Sequence, residues 1–211
     1  GMLERFDVQF QWHNHNYDAF SDFLAALPSR KRKQISKERA QVSAQGIIVK
    51  YHAGSELTPD FWHKFSQFYQ ATYQKRSGHN GYLTPETMLL WGRDMAESIV
   101  VFAAYLNDRL VAASLCFKST DCLYGRYWGC LAEFDKLHFE CCYYAGIDYC
   151  IANKIVKFDA GAQGEHKLKR GFVPVIRRGF YQFSPSPLTE AIADYCQREQ
   201  QALLQHYQLM T

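Results

Sequence analysis

The order of patterns along this chain predicts an α+β fold of the three-layer type, with a central, mostly antiparallel sheet flanked by helices. Three observations carry that expectation. Helical spacings dominate the first half. Residues 98–128 then read as three consecutive strands joined by tight turns. A long amphipathic helix at 138–153 follows, then a short strand, a charged glycine loop and a last strand at 175–183.

Each element has a local reason. Tyr17, Phe20, Phe23, Leu24 and Leu27 have helical spacing, and Pro28-Ser29 breaks it. Ser29 is expected to cap a second helix running to about Gln45, where Gly46 ends it. A strand follows at 47–51. Thr58-Pro59 and Thr84-Pro85-Glu86 are matching start signals, a capping hydroxyl followed by proline in the first turn. Phe61, Phe65, Phe68 and Tyr69 form the expected buried stripe of the first of these helices. The run 98–106 is almost continuously apolar, as in a strand covered on both faces. Asn107-Asp108 and Thr120-Asp121 turn the chain into strands at 109–118 and 122–128. Phe139, Cys142, Tyr143, Gly146, Ile147, Cys150 and Ile151 share one face of the helix at 138–153. A strand at 155–159 follows. Ser184-Pro-Ser-Pro187 is a stiff connector into a terminal helix at 188–210.

Bulk properties narrow the class. A length of 211 residues, 47% hydrophobic and 21% charged, suits one domain with a real core. Gly1 before Met2 reads as a cleavage scar. A net charge of +3 is too small to mark a nucleic-acid binder by itself. Seven cysteines without a Cys-x-x-Cys pair point to buried thiols in a reducing cytoplasm, not to a disulfide framework or zinc. No leader is visible, and no apolar run suits a membrane span, so a soluble cytoplasmic protein is expected. His138 and Glu140, two apart on a helix, diverge and make no metal pair. His13 and His15 have no carboxylate near in sequence, so no metal is expected.

Two regions carry chemistry. The stretch from Phe158 to Phe172 ends a strand in Asp159 and small residues. It then crowds Gln163, Glu165, His166, Lys167, Lys169 and Arg170 together. Glycine lets backbone approach a ligand there, although a solvated turn fits the same pattern. In the strand at 122–128, period-two alternation puts Cys122, Tyr124, Arg126 and Trp128 on one face, with Leu123 and Tyr127 on the other. A guanidinium between aromatics needs a cleft or a carboxylate, and Glu140, Asp159 and Glu165 are the candidate partners. The central expectation is that Arg126 and the 159–172 loop share a hollow. Arg30, Lys31, Arg32, Lys33, Lys37 and Arg39 make the helix at 29–45 a solvated cationic face or a phosphate-contacting patch, with only Glu38 opposing them. Nucleophile-elbow, phosphate-loop and dinucleotide-cradle motifs are absent.

The element order fits the acetyltransferase-like (GNAT) layout. More specifically, Ser29-Arg-Lys-Arg-Lys33, Leu123-Tyr-Gly-Arg-Tyr-Trp-Gly-Cys130, His138-Phe-Glu-x-Cys-Tyr-Tyr144 and Gly161-Ala-Gln-Gly-Glu-His-Lys-Leu-x-Arg-Gly-Phe172 occur in order. Together they resemble the FemAB-like peptidoglycan biosynthesis/recognition family of N-acyltransferases in the GNAT superfamily. The resemblance implies a single GNAT-like domain over 2–211, corresponding to the C-terminal half of a longer architecture. It implies acyl or aminoacyl transfer to an amine, as on a peptidoglycan precursor. The donor is acyl-coenzyme A or aminoacyl-tRNA; the usual pyrophosphate signature of acyl-coenzyme A enzymes is missing. In such a reaction Glu165 or His166 would take the amine's proton, and Tyr124 or Tyr127 would protonate the leaving group. Arg126, Tyr127, Trp128, Gln163, Lys167 and Arg170 would bind substrate, and Asp159 would orient the loop. The rival expectation is a non-catalytic module that recognises cell-wall peptide, or tRNA through the 30–39 cations.

Overall fold

A computed structural model describes residues 2–162 and 164–210. In chain order the regular elements are β1 (Leu3–His13), α1 (Phe20–Ala25), α2 (Ser29–Ala44), β2 (Ile47–Ala53), α3 (Pro59–Ser77), α4 (Pro85–Asp94), β3 (Ile99–Leu106), β4 (Arg109–Lys118), β5 (Cys122–Cys130), α5 (Leu137–Phe139), α6 (Ala145–Ala152), β6 (Lys157–Asp159), β7 (Val173–Tyr181) and α7 (Thr189–Met210). A π-helical turn, Glu140–Tyr144, joins α5 to α6 without a break. The chain divides into two compact units, His13–Ala160 and Gly1–Trp12 with Gly161–Thr211.

The larger unit holds a sheet in the order β2-β3-β4-β5-β6. The β2–β3, β3–β4 and β4–β5 pairs are antiparallel, and β5–β6 is parallel. The fold is therefore α+β with a mostly antiparallel sheet and flanking helices. The continuous apolar run of β3 is explained by its two covered faces. Ile99, Val101 and Ala103 pack with Trp62, Phe65, Phe68, Tyr69 and Met88 of α3 and α4. From the opposite face Phe102 meets Tyr149 of α6, ring centroids 5.9 Å apart. Asn107 and Asp108 take positive φ, 49° and 59°, the geometry a two-residue hairpin needs.

Thr58 and Thr84 cap α3 and α4, accepting from the Phe61 and Thr87 N–H groups, with proline in each first turn. Three details differ from the sequence reading. Ser29 is the first helical residue, and Pro28 holds the cap position without a side-chain bond. Trp62 takes the buried place expected of Phe61, which is half-buried. The π turn inserts one residue, which rotates what precedes it by about 100°. The buried stripe slips phase there: Glu140, Cys141 and Tyr144 go inward, while Phe139 and Cys142 are half-buried.

The smaller unit is built on an antiparallel β1–β7 pair, from Leu3 opposite Tyr181 to Gln11 opposite Val173. β1 was not anticipated, although Phe6, Val8, Phe10 and Trp12 alternate along it. The α7 helix is tied to β1 by a two-pronged bond from Arg5 to Glu199, at 2.6 and 2.7 Å, and by Gln200 donating to the Glu4 carbonyl.

Candidate active site

In the larger unit β5 and β6 run side by side for only three pairs, Cys122 with Lys157, Leu123 with Phe158 and Tyr124 with Asp159. β6 ends at Asp159, while β5 runs on to Cys130. The fork so formed lies at the carboxyl end of β6, where open sheets commonly present chemistry.

A β-bulge sits at the same place. Leu115 of β4 faces Tyr127, yet the next residue, Cys116, faces Gly125, so Arg126 is supernumerary. This changes the expected alternation. Tyr124 lies opposite Phe117 and Tyr127 opposite Leu115, residues of the cluster packed on α3 and α4. Trp128 lies opposite Ser114 on the other face, edge-on to His138 at 5.5 Å. Tyr124 and Tyr127 thus share one face, and Trp128 takes the other.

Arg126 is exposed, its guanidinium 5.6 Å from the Tyr127 ring centre. Among the described residues it makes no ion pair, and an exposed guanidinium does not need the carboxylate that was the alternative to a cleft. Glu140, one of the candidates, belongs to Arg39 instead, through bonds of 2.9 and 3.2 Å. Tyr124 is 38% exposed. Tyr127 is half-buried, stacked on Trp91 at 5.8 Å and edge-on to Tyr69 at 5.6 Å. Asp159 is buried at the end of β6.

Beyond the fork, β5 runs into a cavity of about 500 Å³ lined by Arg76, Trp128, Cys130, Lys136, His138 and Phe139, among others. The His138 ring sits among Trp128, Phe139 and Tyr143, with centroids 5.5 to 5.6 Å away. Burial pushes the Cys130 thiol above its ordinary value, and Glu133 adds to this while Lys75 and Arg76 oppose it. The fork thus offers an exposed phenol, an exposed guanidinium and a bulged backbone; the cavity beyond it is aromatic, with Arg76 and Lys136 beside Glu133 and Asp135 in its lining, and Lys136 pairs with Asp135 at 3.0 Å.

The predicted loop residues belong mostly to the smaller unit. Gln163 and the Glu165 side chain lie outside the described residues. His166 is exposed, and its carbonyl accepts from Arg170 at 3.0 Å. Lys167 and Arg170 are buried, each 3% exposed. The Lys167 ammonium donates to the Gly161 carbonyl at 3.0 Å and lies 5.5 Å from the Phe10 ring centre. These two cations are built into the loop's own structure. Gly161, Gly164 and Gly171 all have positive φ, which explains the glycine spacing.

The cationic helix separates into two roles. Arg30, Lys33 and Lys37 are exposed; Lys31 and Arg32 are half-buried. Arg39 turns inward to Glu140 and to Asp148 at 2.7 Å, with Phe20 4.4 Å from its guanidinium carbon. Burial alone would lower the Arg39 pKa, but the two carboxylates raise it above the ordinary value. Burial holds both carboxyls above theirs, against the pull of Arg39. Glu38 is buried and accepts from the Tyr144 hydroxyl, so it does not neutralise the exposed cations. This ion cluster was missed. The helical spacing of Ile35, Glu38 and Val42 was its signal, because it places Glu38 on the apolar face.

Among the described residues no group of His, Cys, Asp and Glu is placed to hold a metal ion, and no helix is long and apolar enough to cross a membrane.

Comparison with known proteins places this fold in context. Curated proteins yield no match. Among solved structures, L-PGS from Bacillus licheniformis superposes with a TM-score of 0.60 at 12% identity, covering 94% of this chain and 67% of that one. FemX gives 0.59 at 14% identity over 88% of this chain and 64% of its own. A conserved protein of unknown function from Bacteroides thetaiotaomicron VPI-5482 gives 0.51 at 15% identity over 85% and 63%. The chain therefore spans about two thirds of the length of each. At these identities the likeness concerns the fold. The FemAB-like family model, described as peptidoglycan biosynthesis/recognition, matches residues 1–211 in full. A match over the full length, together with the four ordered motifs, shows that the chain belongs to the FemAB-like peptidoglycan biosynthesis/recognition family.

Proposed function

We propose that this chain takes part in transfer of an acyl or aminoacyl group to an amine, with a peptidoglycan precursor as the acceptor class. The observation that carries the reading is the fork: β5 leaves β6 at Tyr124 and bulges at Arg126 within two residues. Arg126 has no register partner in either strand pair. We read the backbone re-aimed by this bulge as the place where an acyl oxygen is held as negative charge develops on it.

In the reaction a neutral amine attacks the acyl carbonyl carbon. The new C–N bond forms, the carbonyl electrons move to oxygen, and collapse expels the thiolate or ribose alkoxide of the donor. Tyr124, exposed beside the bulge, is placed to protonate that leaving group. The proton lost by the amine goes to a base, for which His166 and Glu165 remain the proposed residues. The Arg126 guanidinium suits a donor phosphate or an acceptor carboxylate.

The donor we favour is aminoacyl-tRNA. Arg30, Lys33 and Lys37 follow one another at helical spacing on the exposed side of α2 and form no ion pair among the described residues. Such a row suits a phosphodiester backbone. A similar structure whose printed name speaks of a putative lysylphosphatidylglycerol synthetase is compatible with an aminoacyl donor.

Thermal-shift titration separates the donors, because binding stabilises the folded state by mass action. Stabilisation by aminoacyl-tRNA that Arg30→Ala/Lys33→Ala/Lys37→Ala abolishes supports this reading. Stabilisation by acetyl-coenzyme A alone transfers the donor role to coenzyme A. Binding of an intact precursor with no turnover under any donor supports the recognition module instead.

A further inference from the structure

α2 presents its two sides to different tasks. The exposed side carries Arg30, Lys33 and Lys37. The inward side reaches the segment that walls the aromatic cavity, and does so at three successive points.

The first is Asp135, in the middle of the cavity wall. The Gln45 amide, just past the end of α2, donates to the Asp135 carbonyl at 2.9 Å and accepts from the Asp135 N–H at 3.1 Å. One side chain thereby pairs both backbone groups, as a neighbouring strand would. The next residue, Lys136, has a φ of 62°, a left-handed conformation unfavourable for a side-chain-bearing residue. The second point is Glu140, gripped by Arg39 through two bonds, with Asp148 one helical stretch further on. The third is Tyr144, whose hydroxyl donates to Glu38; Gln34 supports Glu38 from one turn earlier at 2.9 Å.

Glu140 and Tyr144 are the first and last residues of the π-helical turn. The Ala145 N–H reaches back five residues to the Glu140 carbonyl there. A π turn is unusual, and persists where its surroundings hold it. Its extra residue sets the rotation of the preceding α5, hence the direction of His138 and Phe139, both of which line the cavity. Relaxation to a plain α-helix would turn that wall by about 100°.

We propose that Glu38, Arg39 and Gln45 are positioning residues: they lock the π turn and the left-handed entry at Lys136, and so set the cavity's shape and its affinity for an acyl donor. The inference rests on the acyl transfer proposed above and adds to it that the cavity receives part of the donor. Its structural half stands independently of that reading.

The test uses Gln45→Ala, Arg39→Met and the conservative Arg39→Lys in the full chain. Amide hydrogen exchange is followed for residues 135–144, with β3 and β4 as internal reference. Titration with acetyl-coenzyme A and with aminoacyl-tRNA runs in parallel, at a temperature where every variant is folded. Expected are at least tenfold faster exchange in 135–144 with β3 and β4 unchanged, at least tenfold weaker binding of whichever donor the wild type takes, and partial recovery in Arg39→Lys. Exchange that accelerates equally in 135–144 and in the reference strands would mark a merely structural contribution and overturn the proposal. So would local opening with unaltered donor affinity. If the wild type binds neither donor, the functional assignment of the cavity fails, while local exchange still upholds or overturns the lock.

Discussion

Replacing Gly129 by alanine tests the packing that holds the forked strand in place. Gly129 lies on β5 where that strand crosses α3. A Cβ there would stand 2.4 Å from the Phe68 carbonyl carbon and 2.5 Å from its oxygen. Carbon atoms pack best at roughly 3.5–4.0 Å, so α3 would have to retreat by about 1 Å. The obstacle is backbone in mid-helix and cannot swing aside. Overpacking of this kind costs about 1–3 kcal/mol, and the rigid obstacle puts this case at the upper end. At this chain length each kcal/mol moves the melting temperature by about 2–4 °C, so a loss of about 6–12 °C is expected. Gly125→Ala, four residues earlier on β5, is the matched control. Its Cβ would meet nothing nearer than the Phe158 ring at 3.4 Å. Alanine is also less costly than glycine inside a strand, by about 0.5–1 kcal/mol. Thermal melts and urea midpoints of the two variants decide the matter. Equal losses in both, or a Gly129→Ala melt within about 1 °C of wild type, would refute the contact argument.

Three further outcomes are expected. Glu140 has a folded-state pKa raised by burial, so its contribution to stability is fully present below the ordinary carboxylate range and is lost as pH rises through the raised value. The stability advantage of wild type over Glu140→Gln should therefore narrow in urea titrations as pH rises from the ordinary carboxylate range; a widening gap would mean that attraction to Arg39 outweighs burial. Native thiol titration should label Cys130 and Cys142, both half-buried, well before Cys116, Cys141 and Cys150, whose thiols burial holds above their usual range; early labelling of Cys116 would contradict the core assignment. Any polyanion held by α2 should lose affinity steeply between about 50 and 200 mM salt, and Lys37→Ala should flatten that slope by about one unit; a salt-independent affinity would dismiss the patch.

Where burial and turn chemistry act locally, the sequence was readable. Thr58-Pro59, Thr84-Pro85 and Asn107-Asp108 placed element ends to within a residue or two because each signal satisfies its own backbone. β1 was missed although its alternation is plain, since its first half is only partly covered and its partner β7 lies far along the chain. The bulge at Arg126 and the π turn at Glu140 were not readable. Each inserts a single residue, and its cause lies in another element: the register of β4 for the first, the grip of α2 for the second. That insertion reversed the side on which Trp128 stands. It also misassigned Glu140, whose partner Arg39 is 101 positions away. The fold and family were thus legible, whereas which side chains meet depended on two one-residue slips.

The most direct test of acyl transfer at the fork is mass spectrometry of an amine-bearing peptidoglycan precursor incubated with the full chain and isotope-labelled donor, either aminoacyl-tRNA or acetyl-coenzyme A. The account predicts a precursor that gains the donor's acyl mass, with turnover at least about 100-fold lower in Tyr124→Phe and impaired in Arg126→Ala. An unmodified precursor with both donors, or full turnover in both variants, would contradict it.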